Sequence, residues 1–116
     1  MADLFDLLRS SDELKRLYAQ AKIEELIKNN EITRDGVREL VELLGSRDEE
    51  LAGWAWETVY RLLRRGVLTP DDVKERKRHL LELLESNDED VRLDAWYLVD
   101  DLLEKGILTP DDVKER

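Results

Sequence analysis

A nine-residue segment that occurs twice without change constrains the fold of this chain more than any other feature. The segment LTPDDVKER occupies residues 68–76 and returns at residues 108–116, 40 positions later. A looser copy, ITRDGV, begins at Ile32, 36 positions before Leu68. Similarity at a spacing of this length indicates a fold built from repeated units of paired helices.

The rest of the chain falls into register when the three repeat threonines are aligned. The matched positions are Thr33, Thr69 and Thr109; Ser10, Ser46 and Ser86; Asp12, Asp48 and Asp88; Ala19, Ala55 and Ala95; and Asn30, Gly66 and Gly106. We therefore predict a single domain over residues 1–116, with repeats at approximately 1–32, 33–68 and 69–108. Residues 109–116 form a terminal half-hairpin in this prediction.

Each repeat predicts two helices, A and B, joined by a short Ser-x-Asp turn. The expected spans are 2–9, 34–44 and 70–85 for helix A, and 12–28, 48–65 and 88–105 for helix B. Thr69 followed by Pro70 is a strong start signal, because threonine caps free N–H groups and proline has none to lose. The turn aspartate is the expected N-cap of helix B, and Asn or Gly is expected in the left-handed conformation at its end. Four extra residues, placed near 74–77, lengthen the third helix A.

Composition and charge exclude several classes of function. The 116 residues are 41% hydrophobic and 41% charged, contain no Cys and carry a net charge of −10. Without cysteine there is no disulfide and no thiolate metal site. A strongly negative protein repels phosphate groups, so we expect no nucleic acid and no anionic membrane among its partners. No apolar run approaches the roughly 18 residues of a transmembrane helix. We expect a soluble monomer, cytoplasmic if the chain is natural.

Residues 88–95, with the sequence DEDVRLDA, resemble the HEAT repeat, which places Asp in its inter-helix turn and Val-Arg-x-x-Ala at the start of its second helix. The resemblance implies an all-α fold, a right-handed α-solenoid of about three helical hairpins that ends in a partial fourth helix. It also implies protein binding along the face lined by the second helices, and domains of this family are seldom enzymes. The second repeat departs from the pattern, because Ala52 replaces the Arg and Gly53 replaces the Leu.

Aromatic residues on the two flanks of helix B differ between copies. One flank reads Tyr18, Trp54 and Asp94, and the other reads Gln20, Trp56 and Trp96. Because internal repeats of a stack bury both flanks and end repeats bury one, these rings are predicted at the joints between repeats. Tyr18 is therefore expected near Trp56, and Trp54 near Trp96.

Helix B positions 91, 95, 99 and 102, with their counterparts in the other copies, form one stripe of small or aliphatic residues except at Lys15, and this stripe is predicted to pack on helix A. The remaining helix B positions are too apolar for a plain solvated face, and we interpret them as a protein-binding surface. The candidate residues are Leu17, Ala52, Gly53, Glu57, Tyr60, Leu93 and Tyr97. Gly53 is unusual, since glycine inside a helix costs about 1 kcal/mol relative to alanine. Two explanations are open: a neighbouring ring of the same chain lies over Gly53, or a side chain of a partner does.

The predicted function is a non-enzymatic protein-binding module or scaffold, whose partner is a protein or peptide with a basic or neutral rim. No catalytic, cofactor or metal site is predicted, since His79 is the only histidine and the carboxylates fall at helix starts or on exposed faces. The basic turn at residues 74–78 is interpreted as a solvated helix face. Two alternatives stay open: an engineered binder on a thermophilic repeat scaffold, or a structural fragment of a longer array without a site of its own.

Overall fold

The protein is all-α, as predicted. The computed structural model describes residues 2–114, and this part of the chain contains helices and turns but no strand. The helices are α1 (Ala2–Leu8), α2 (Glu13–Lys28), α3 (Arg34–Leu43), α4 (Glu49–Arg64), α5 (Pro70–Val73), α6 (Lys77–Leu83), α7 (Glu89–Glu104) and α8 (Pro110–Val113), with a 3-10 turn at Lys74–Arg76.

The three long helices α2, α4 and α7 begin with the same hydrogen-bonded turn. Their N-caps are Asp12, Asp48 and Asp88, as predicted, and each aspartate side chain accepts from backbone N–H groups of the first helical turn. The serine two residues earlier accepts from the aspartate N–H at 3.0–3.1 Å in every copy. A short segment of sequence therefore specifies the same turn three times, because all of its hydrogen bonds are local.

The predicted ends of these helices are confirmed. Asn30, Gly66 and Gly106 have φ angles of 58°, 76° and 77°, and they are the residues of positive φ among residues 2–114. A left-handed residue after the last turn lets backbone N–H groups reach carbonyl groups that the helix leaves free. Val67 and Ile107 make such bonds to Leu62 and Leu102, at 3.0 and 2.9 Å.

The prediction of one helix over residues 70–85 is wrong. The helix ends at Val73, passes through the 3-10 turn at Lys74–Arg76 and starts again at Lys77. The interruption falls on the four extra residues of the third copy, so the extra length is taken up by a turn of different geometry rather than by a longer helix.

Two cations at this interruption are held by carboxylates of other helices. The Arg76 guanidinium lies 3.2 Å from Glu42 on α3, and the Lys77 ammonium lies 3.0 Å from Asp112 on α8. The basic turn is thus more than the solvated helix face that the sequence predicted. Through these contacts the turn is held to two different helices, α3 and α8.

The chain divides into two compact units, residues 1–40 and residues 41–116. In the first unit α1 packs against α2. Its buried apolar side chains include Phe5, Leu8, Ala19 and Ile23. Alanine and isoleucine at these α2 positions belong to the stripe that the aligned copies predict as core.

In the second unit α4 packs against α6 and α7, and α6 against α7. The predicted core stripe of both long helices is buried throughout. Its members are Leu51, Ala55, Val59 and Leu62 on α4, and Val91, Ala95, Val99 and Leu102 on α7. Burying a side chain of this size contributes roughly 1.5–3 kcal/mol for valine or leucine, so this stripe holds the unit together.

The start of α5 provides a pH-dependent contribution to stability. The Asp72 carboxylate accepts from the Thr69 N–H at 2.7 Å and from the Thr69 hydroxyl at 3.0 Å. These bonds, the backbone one first, hold the pKa of Asp72 below its ordinary value of 3.8. Because the folded pKa is lowered, the stabilisation is complete above the unfolded pKa and is lost as the pH falls through the folded pKa.

We expect Asp72→Ala to lower the free energy of unfolding by about 0.5–1 kcal/mol at pH 7. Urea titrations at pH 7 and at pH 2 measure the effect, and the difference from the parent should be smaller at the lower pH. Asp71→Ala is the matched control, since it removes the same charge from the same turn but no bond to Thr69. Equal losses for both variants would show that charge alone matters.

Candidate functional site on α4 and α7

Leu93 and Tyr97 give α7 an exposed apolar face, as predicted. Their side chains are 50% and 72% exposed. Leu17, the predicted contact residue of the first unit, is also exposed on α2. Two large apolar side chains are thus left in solvent one turn apart on α7.

Ala52 was predicted on this face, and that prediction is wrong, because the residue is only 2% exposed. It lies four residues after the N-cap Asp48, at the position of Arg16 in α2 and Arg92 in α7. Both arginines direct their guanidinium groups back to the turn before their helix. This helix position therefore points towards the turn and away from the exposed face.

Tyr60 is half-buried and already has partners within the chain. The Arg64 guanidinium lies 6.0 Å from the centre of its ring. Desolvation of the hydroxyl, followed by the nearby Asp101 carboxylate, raises the pKa of Tyr60 above 10.0. The hydroxyl therefore stays protonated at neutral pH and donates towards Asp101 on α7. Tyr60 links the two helices, which is a structural role that the prediction did not include.

A groove opens between the N-terminal halves of α4 and α7, with a volume of about 210 Å³. Gly53, Trp54 and Val91 line it together with several carboxylates. Apart from its two chain neighbours and the backbone of α4, a methyl group placed on Gly53 would have no atom of the chain within 4 Å. A ring from another helix is therefore the wrong explanation for this glycine, because the space over Gly53 is open on that side.

Six acidic residues surround the groove. They are Glu49, Glu50, Glu57, Asp88, Asp90 and Asp94. Within residues 2–114, the five other than Glu57 have no ion-pair partner, and Glu57 has an interaction within the chain. Asp88 caps α7, and Glu49 accepts from the Ser86 hydroxyl at 2.9 Å. The helix N-termini offset part of this negative charge, and the remainder is exposed to the solvent of the groove.

The two tryptophans of α4 have different environments. Trp56 is 1% exposed, and its indole N–H donates to the Leu44 carbonyl at 3.2 Å. Trp54 is half-buried at the groove, and its buried indole nitrogen has no hydrogen-bond partner in the described part of the chain. Trp54 does lie at the boundary with α7, the side on which the sequence placed it. The proximities of Trp54 to Trp96 and of Tyr18 to Trp56 stay predictions.

A second cavity, which sequence reasoning missed, lies next to the turn before α4. Its volume is about 340 Å³, and Ser46, Ala52 and His79 are among its lining residues. The His79 ring lies over Gly45, so that a methyl group there would be 2.8 Å from Nε2. The replacement of arginine by Ala52 was visible in the sequence, but the empty space that it leaves depends on packing.

Within residues 2–114, groups of three or more side chains arranged to hold a metal ion are absent. The same residues contain no helix of the length and apolarity required to cross a bilayer.

Part of the chain is similar to a protein of known sequence. A protein of Acidianus ambivalens, described as an uncharacterized protein in the sor 5' region, is 34% identical to this chain over 79 residues. The match covers 65% of this chain and 35% of the relative, so the two are alike over about a third of the relative's length. No protein-family model and no solved structure matches the chain.

Proposed function

We propose that this protein is a non-enzymatic protein-binding module that holds its partner on the exposed face of α4 and α7. In this proposal the repeats form a right-handed, HEAT-like α-solenoid of about three hairpins. The repetition of one hydrogen-bonded turn before α2, α4 and α7 supports repeated units of the same construction. The proposed partner is a protein segment with a basic rim.

The open space over Gly53 is the observation that carries the proposal. Glycine inside a helix is unfavourable by about 1 kcal/mol, and the groove shows no contact within the chain that requires it. A side chain at this position would occupy the groove. The glycine therefore keeps accessible a surface that the folded chain itself does not use.

The groove continues into the exposed apolar residues of α7. At about 100° per residue, Asp90, Leu93 and Tyr97 fall within one narrow sector of the helix. The groove can receive a charged side chain, while Leu93 and Tyr97 provide apolar contact beside it. Aromatic anchors surrounded by polar groups are typical of the residues that dominate binding energy.

Charge defines the chemistry of the partner. The carboxylates at the groove add to a chain with a net charge of −10. Such a surface attracts cationic segments at long range and rejects acidic ones, and the attraction weakens as salt is added. A lysine- or arginine-bearing segment is therefore the favoured occupant.

The test is a double substitution, Leu93→Asp with Tyr97→Asp. Partners are first captured by crosslinking and identified by mass spectrometry, and the affinity of a purified partner is then measured by calorimetry. We expect the double variant to bind roughly 30- to 900-fold more weakly, since each anchor contributes roughly 1–2 kcal/mol.

Leu14→Asp with Val67→Asp is the matched control. These side chains are 77% and 48% exposed, close to the values for Tyr97 and Leu93, and the change in charge is the same. The control should retain the affinity of the parent. If both double variants bound as the parent does, the proposed face would not be the binding surface.

The longer-array alternative keeps one specific observation in its favour. The Acidianus ambivalens relative continues well beyond the matched segment, which is 35% of its length. If the remainder of that protein carries the same turn and helix pattern at a spacing of 36–40 residues, the structural role gains support. A remainder of a different pattern would favour the binding module.

A further inference from the structure

In two of the three repeats, an arginine of helix B donates a hydrogen bond to a backbone carbonyl of the turn before that helix. The Arg16 guanidinium donates to the Ser10 carbonyl at 2.8 Å, and the Arg92 guanidinium donates to the Ser86 carbonyl at 2.7 Å. Each arginine lies six residues after the serine, and each is partly buried. The same local interaction therefore recurs at both ends of the described chain.

The second repeat has the same turn but lacks the arginine. Ala52 occupies the position, and the Ser46 carbonyl accepts no hydrogen bond within residues 2–114. The cavity of about 340 Å³ lies at this point, lined by Ser46 and Ala52 together with His79, Glu82 and Leu83. The space that an arginine fills in the other repeats is thus present here without its side chain.

We propose that this cavity, called here the arginine slot, binds an arginine side chain supplied by another protein. The guanidinium would donate to the Ser46 carbonyl, as Arg16 and Arg92 do in their own repeats. The methylene stem would pass over Ala52, whose small side chain leaves the entrance free.

The charges around the slot favour a cation. Glu49 and Glu82 line it, and Arg47 is the cation among its lining residues. His79 covers Gly45 on the same side. A guanidinium can donate to a carbonyl and a carboxylate at the same time in a fixed plane, which an ammonium group cannot do as well. The slot therefore selects arginine over lysine.

The arginine slot is separate from the groove over Gly53, so it goes beyond the proposed function. Of the residues that line the slot, Glu49 also lines the groove, and it is left unchanged in both tests. If the Leu93 and Tyr97 double variant bound its partner as the parent does, the arginine slot would be unaffected. If the arginine slot bound no arginine, the proposed binding face would be unaffected.

The test uses Nα-acetyl-arginine N-methylamide as the probe, with the matching lysine and citrulline compounds as controls. Backbone amide signals of the ¹⁵N-labelled full chain are followed by NMR at pH 7.4. We expect saturable shifts at residues 45–47, 52 and 79 with the arginine probe. The lysine probe should bind about tenfold more weakly, and citrulline should give no saturable shift.

Ala52→Arg should close the slot from within the chain. We expect the shifts to vanish and the unfolding temperature to rise, because the bond found in the other repeats is restored. Val67→Arg is the matched control, since it adds the same charge at the far end of α4 and should keep the parent's shifts. Equal shifts with arginine and lysine, or shifts that persist in Ala52→Arg, would show that the cavity is no specific site for an arginine side chain. Either result would overturn the proposal.

A reciprocal variant covers the case in which Ala52→Arg fails to fold. Arg92→Ala should open a second slot before α7. We expect new saturable shifts at residues 85–88 with the arginine probe and a larger rise in unfolding temperature on adding the probe than the parent shows. A variant that folds and gives no new shifts would count against the slot as firmly as the first result.

Discussion

Replacing Trp56 with alanine is expected to lower the free energy of unfolding by about 3–5 kcal/mol. The side chain is 1% exposed, so its removal leaves a large cavity in the second unit. The substitution also removes the indole N–H that donates to the Leu44 carbonyl at 3.2 Å. Since the total free energy of unfolding of a domain is about 5–15 kcal/mol, the loss is a large share of the stability.

Urea unfolding followed by circular dichroism measures this effect, and Trp54→Ala is the matched control on the same helix. We expect a clearly smaller loss for Trp54, because its ring is only half-buried and its indole nitrogen has no partner to lose. Trp56→Phe should fall between the two, since it keeps most of the ring and loses the donor. Equal losses at the two tryptophans would contradict the environments described above.

One substitution, glycine to alanine, is expected to change stability in opposite directions at different positions. Gly53→Ala should raise the free energy of unfolding by about 1 kcal/mol, because alanine favours the helical conformation more than glycine does. The new methyl group would meet no atom of another helix within 4 Å. Gly66→Ala and Gly106→Ala should each lower it by about 1–2 kcal/mol, because the φ angles of 76° and 77° disfavour any side chain.

Thermal unfolding distinguishes these variants, and the full spread of about 2–3 kcal/mol corresponds to roughly 10 °C for a chain of this size. Gly66→Asn provides the matched control, since Asn30 adopts a φ of 58° at the same position of the first repeat. It should lose less than Gly66→Ala. A gain at all three glycines would contradict the left-handed ends of α4 and α7.

The parts of the fold that the sequence predicted are those that depend on local chemistry. The capping aspartates, the left-handed residues at helix ends and the buried stripe of α4 and α7 each follow from a few neighbouring positions. Aligning the copies strengthened each prediction, because three independent segments carry the same signal. Thr69 with Pro70 identified the start of α5 for the same reason.

The predictions that failed depend on packing across the chain. Residues 70–85 read as one helix because every residue there tolerates a helix, whereas Arg76 and Lys77 bind carboxylates more than 30 positions away. The sequence predicts Ala52 on the exposed face because it adjoins Gly53 and replaces the arginine of the other copies. The hydrogen bonds of those arginines to backbone carbonyls are not visible in the sequence.

The candidate site was predicted in part for the same reason. Leu93 and Tyr97 stand out from their own helix as apolar residues at exposed positions, and the structure exposes them. Whether Gly53 was covered could not be decided, because that depends on how α7 lies beside α4. The sequence identified the unusual residue, and the fold decided between its two explanations.

The exact duplication of residues 68–76 and 108–116 gives the molecule an internal reference for measuring the effect of environment on chemistry. Asp72 and Asp112 hold the same place in the same nine-residue sequence, and a bond from the backbone N–H of the preceding threonine lowers the pKa of both. Only Asp112 also binds Lys77 within residues 2–114. A difference between the two titration curves therefore reports what the surroundings add, namely the greater burial of Asp112 and its contact with Lys77, with solvent, temperature and local sequence held equal inside one molecule.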